Sequence, residues 1–139
     1  MKITLKPVIL LIASLGILWF TFNFPAGKYL EFGSTAYKLY FSYFNDLAQP
    51  FAFYLFLCLF EKWISPLKTW QGRALAAFAV PSVMEIGQQV YYWFFSGHYV
   101  GAFDPLDFGV YALGVLLAAW LEVKVITPKF QPSRHSPPA

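Results

Sequence analysis

Glu85 and Gln88 stand three residues apart in a strongly apolar stretch and so share one helix face, with Gln89 beside them. Asp46 and Gln49 repeat that spacing earlier in the chain, and Asp104, Asp107, Tyr111 and Gly114 follow later, with His98 in the polar turn between. An acid inside an apolar run is a costly residue. At the middle of a bilayer an ionised carboxylate costs at least ~2.5–3.5 kcal/mol and must face protein or water rather than lipid. Three such runs could point their polar groups into one outward-opening cavity. There Glu85, about ten residues from the end of its helix, would be the proton-handling acid, and Asp107, at a helix start, the cation-attracting one, with Gln88 and Tyr111 between.

Each of these residues also has a purely structural account. Glu85 could be a protonated acid bonded to Gln88. Asp107 at the third position of a helix is accounted for by the helix dipole. Asp104, followed by Pro105, reads as an N-cap, and Asp46 could be one too. A histidine in a turn, as His98 is, is more often a surface residue than a ligand. No motif with metal-ligand spacing and no Ser/His/Asp or Cys/His arrangement is visible, so neither metal nor cofactor is expected.

The elements that would position these residues are membrane helices. The chain is 58% hydrophobic and only 12% charged, against the roughly 25% charged of a soluble domain. The ten Lys and Arg residues are scattered between apolar runs and form no stripe, which argues against nucleic acid. The single cysteine, Cys58, allows no intramolecular disulfide. The expected fold class is an all-α membrane protein of four transmembrane helices, at residues 8–24, 47–64, 73–95 and 105–126. The first of these reads as an uncleaved span. Within residues 28–46, Tyr37, Tyr40, Phe41 and Phe44 fall at helical spacing, which predicts an outer interfacial aromatic helix before the second span, with Ser34 as its N-cap. Asn45 or Asp46 would cap the second span, with Pro50 in its first turn. Gly114 and Ala118 form a small-xxx-small pair suited to close helix approach. Residues 1–127 read as one membrane domain and 128–139 as a disordered cytoplasmic tail rich in Pro and Ser.

Lys2, Lys6, Lys62, Lys68, Arg73, Lys124, Lys129 and Arg134 fall on one side of this scheme, and Lys28 and Lys38 on the other. The positive-inside rule then puts both termini in the cytoplasm and the candidate acids at the outer face.

Glu85-x-x-Gln88, the PheAsp pair at 103 and 104, Asp107 and Gly114, with Asp46 at the outer start of the preceding span, resemble in order and spacing the VanZ-like family. These are small bacterial membrane proteins named for a member linked to teicoplanin resistance. Tyr111, Ala118 and the GlnPro pair at 49 and 50 stand where the family often has Asn, Gly and His, and its frequent outer-turn Arg is missing. The resemblance implies an envelope protein of the bacterial cytoplasmic (inner) membrane. Its site would recognise a lipid-linked or peptidoglycan-related molecule, or alter glycopeptide susceptibility, through Glu85, Gln88, Asp107, Asp104, Asp46, Tyr111 and His98. Two further classes stay open: a small intramembrane enzyme acting on a lipid headgroup with Glu85 as general base, and a proton-linked carrier that would need to oligomerise. Metal-dependent turnover would mark the enzyme, and saturable binding without turnover the binder.

Overall fold

The computed structural model describes residues 5–96 and 104–130. They form four long helices and no strand. The first helix is Leu5–Asn23. The second covers residues 35–60, the third residues 70–96, and the fourth Pro105–Phe130. The first and fourth are each long and apolar enough to cross a membrane.

Capping residues set several of the boundaries. Ser34 accepts the Tyr37 N–H at 3.2 Å, immediately after Gly33, whose φ of 84° lies in the left-handed region that suits glycine. Thr69 accepts the Gly72 N–H at 3.2 Å, and Asp104 accepts that of Leu106 at 2.9 Å with Pro105 in the first turn. Gly72 must be glycine for a different reason, since a Cβ there would collide with the Pro66 carbonyl.

Several expectations are corrected. The aromatic segment is not a separate helix but the first part of the second helix, its backbone staying right-handed helical through Leu39, Tyr40, Phe44 and Asn45. No Gly or Pro interrupts residues 34–49. The aromatic face also has a protein partner: Phe24 meets Tyr40 at 5.6 Å and Phe20 meets Phe44 at 6.3 Å between ring centroids, joining the end of the first helix to the start of the second. Asn45 and Asp46 therefore lie inside a helix rather than capping one, and Pro50 lies far from its first turn. A proline is tolerated within an apolar bundle where neighbouring groups can take up the freed carbonyl. The fourth helix also continues to Phe130, past the boundary expected at residue 127.

At the opposite end from the aromatic contacts, Lys6 of the first helix reaches Glu61 just past the second, while Arg73 at the start of the third reaches Glu122 near the end of the fourth. Successive helices are therefore antiparallel. The core between them is narrow and built largely of small side chains. Leu10, Tyr54, Leu55 and Cys58 meet Ala77, Val115, Ala118 and Ala119. Without a hydrophobic drive between helices in lipid, such small residues let backbones approach and supply van der Waals contact. The Gly114 and Ala118 face does so as its spacing indicates: Ala118 is fully buried, and a Cβ on Gly114 would run into the backbone carbonyl of Leu47. Large side chains point the other way, with Ile12, Phe22, Leu75, Val83, Leu116 and Trp120 all exposed.

Gly114→Ala is expected to destabilise the detergent-solubilised protein by about 1–3 kcal/mol, the usual penalty of overpacking. Gly87→Ala, where a Cβ meets nothing within 4 Å, should instead stabilise it by about 0.5–1 kcal/mol through helix propensity. Thermal unfolding of the two variants side by side checks the opposite signs.

Candidate functional site

Polar residues gather at both ends of the bundle, and the two gatherings differ in kind. At the end where the second and fourth helices begin, Asp46, Glu85 and Asp107 come from three different helices and lie within Coulombic range of one another. Tyr111, one turn after Asp107 and buried, lies in the field of all three. Each of the three acids is partly buried, and among the described residues none has an ion-pair partner. They are also not gathered into a ligand set: among the described residues no three His, Cys, Asp or Glu side chains are placed to hold a metal ion.

The structure thus brings together Asp46, Glu85, Asp107 and Tyr111 from the residues singled out by sequence. Asp104 is within range of Asp107 but is occupied as the cap of the fourth helix. Gln88 and Gln49 are exposed, so the amides do not bridge the acids. His98 lies outside the described residues. On the same helix as Asp46, the Tyr40 hydroxyl and Asn45 Oδ1 are buried without a hydrogen-bond partner.

At the other end is a network that the sequence reading missed. Glu122, only 3% exposed, receives hydrogen bonds from Arg73 Nη2 at 2.7 Å, from the Tyr54 hydroxyl at 3.0 Å and from Thr127 Oγ1 at 3.1 Å. Arg73 in turn donates through Nη1 to the Leu67 carbonyl at 2.7 Å, and its guanidinium lies 5.8 Å from the Tyr54 ring centroid. Lys6 Nζ stands 3.1 and 3.2 Å from the two Glu61 oxygens and 3.6 Å from Glu122, while Glu61 lies 3.7 Å from Arg73. Two cations and two anions close on themselves here.

Such an arrangement suits structure more than chemistry. Burying two charges costs several kcal/mol per ion, and the cost is offset only when the remaining lone pairs and protons are bonded as well. Both Glu122 oxygens are bonded here, and only Arg73 Nε is left without a partner. The signal was present in the sequence. Glu122 sits in the apolar run TrpLeuGluValLysValIle, and the reasoning that singled out Glu85 applies to it equally. No protein-family model, curated protein or solved structure matches the chain.

Arg73→Met, which strands the Glu122 carboxylate, is expected to cost about 3–5 kcal/mol of stability. The Arg73→Met/Glu122→Gln double variant should lose less than Arg73→Met alone, because no buried charge is then left without its guanidinium. A double-mutant cycle on thermal midpoints in detergent measures this; additive losses would show that the pair is not coupled.

Proposed function

We propose that the chain is an integral membrane protein of the bacterial envelope, related to the VanZ-like proteins, with four membrane spans and both termini in the cytoplasm. Its outward-facing acidic site recognises a cationic or donor-rich group on a lipid-linked or peptidoglycan-related molecule, or modulates access of a glycopeptide. The observation that carries the site is the convergence of Asp46, Glu85 and Asp107 from three helices without a countercharge among the described residues. Three partly buried carboxylates in one field repel one another, and a bound cation relieves that repulsion. Tyr111 adds a hydroxyl beside them.

Several features support the membrane setting. The first and fourth helices suffice in length and hydropathy to cross a bilayer, and the second and third are long enough to run beside them. The outward-pointing side chains are largely big and apolar on the first, third and fourth helices. A soluble monomer rarely exposes apolar patches beyond a few hundred Å². Trp19 and Trp93 lie towards the acidic end, and Trp63 and Trp70 at the basic end, all exposed, where indole rings anchor at the two interfaces. The acids lie away from the lysine-rich end, on the side that the positive-inside rule assigns to the exterior.

In a Cys58→Ser background, Phe32→Cys and Ser65→Cys are expected to react with an impermeant maleimide from opposite sides of the membrane, Phe32→Cys from outside. Labelling from the same side overturns the topology. In cells expressing the chain, the wild type should shift susceptibility to a glycopeptide such as teicoplanin. Glu85→Gln and Asp107→Asn should each abolish the shift at unchanged membrane level. Full activity in both variants, or no shift in the wild type, overturns the acidic-site reading.

A further inference from the structure

A second site lies at the end opposite the acids. A cleft of about 320 Å³ opens beside the ion network, between Leu5, Lys6, Pro7 and Leu10 of the first helix, the end of the second and Phe130 of the fourth. That volume lies in the range of roughly 300–1,000 Å³ typical of ligand sites. Its inner wall is apolar, formed by Leu10, Leu59 and Cys58. At its rim are the ammonium of Lys62 and the indole of Trp63, the latter 78% exposed.

The charges around the cleft are unequal in availability. Lys6 and Glu61 both line it, but each is engaged in the closed network, Lys6 with Glu61 and Glu122, and Glu61 with Lys6 and Arg73. Lys62 is exposed and has no ion-pair partner among the described residues. The cleft therefore offers an apolar floor and one uncommitted cation, with an indole at its mouth.

We propose that this cleft holds an anionic phospholipid, its phosphate at the Lys62 ammonium and the upper part of one acyl chain against Leu10 and Leu59. A phosphate beside a lysine is a charge-assisted pairing, and basic pockets between membrane helices select anionic headgroups. The exposed apolar face of the first helix, including Leu5 and Ile12, carries the rest of the chain outward into the bilayer. The site requires that the bundle reside in a membrane, but it is independent of what the acidic end recognises.

Native mass spectrometry of the detergent-solubilised full chain, exchanged against equal amounts of phosphatidylglycerol and phosphatidylcholine, tests this directly. The wild type is expected to retain one phosphatidylglycerol in clear preference. Lys62→Glu should lower that retention on the order of tenfold, the scale of reversing one charge beside an anionic headgroup. Lys68→Glu, on a lysine at the same end but outside the cleft, should leave it unchanged. Leu59→Trp, which fills the inner wall, should lower retention of both lipids. Equal retention of the two lipids by the wild type overturns the proposal, as does an equal loss from Lys62→Glu and Lys68→Glu. Lys62 is exposed and its substitution leaves the core intact, so the comparison stands whether or not Leu59→Trp folds. Loss of the glycopeptide phenotype in acid-site variants has no bearing on lipid retention, so the two sites fail or stand separately.

Discussion

Inside the bundle, Glu122 is held by an arginine from the third helix, a tyrosine from the second and a threonine one turn ahead on its own, with a lysine of the first helix 3.6 Å away. Each helix contributes one or more groups, so none can shift along its neighbours without exposing a buried charge. This fixes register in a core whose small apolar side chains supply little of their own. Leu10, Ala77, Ala118 and Ala119 could slide past one another at modest cost, whereas an Arg73 displaced by one helical turn would leave Glu122 unpaired in apolar surroundings. With that end pinned, Gly114 comes against Leu47, and the second and fourth helices run close enough for Asp46 and Asp107 to share a field.

The two ends differ in electrostatic character. At one, Lys6, Glu61, Arg73 and Glu122 sum to zero and satisfy one another. At the other, Asp46, Glu85 and Asp107 repel one another with no countercharge among the described residues. A neutral cluster in which both Glu122 oxygens are already bonded has little to gain from a ligand, whereas a cluster of like charges does. This contrast separates scaffold from candidate site more sharply than burial alone, since Glu122 is the most buried acid and the least suited to bind anything further.

Much of the helical plan was legible because its signals are local. Ser34 and Asp104 cap as their positions indicate, and the Gly114 and Ala118 spacing marks a real contact face. What failed was non-local. The aromatic stripe at Tyr37 to Phe44 has the same periodicity whether it faces headgroups or the end of the first helix, and only the packing of Phe20 and Phe24 decides between them. Asn45 and Asp46 have cap chemistry, but a cap needs a break before it and none exists there. The acids at 46, 85 and 107 were found from their unusual settings. Glu122 was not singled out, although its apolar setting matches that of Glu85, and Gln88 is exposed rather than placed between the acids.

The order of residues in the chain gives the ion network a history as well as a geometry. Chains are made from the N-terminus, so Lys6 and Glu61 are available to each other while the third helix is still being synthesised, and Arg73 follows with Glu61 as its nearest available anion. Glu122 arrives last. Until then the guanidinium at the start of the third helix lacks the carboxylate that holds it at 2.7 Å. The network is therefore completed by the last helix to be made, and a chain cut short before residue 122 keeps Lys6, Glu61 and Arg73 without the acid that joins them.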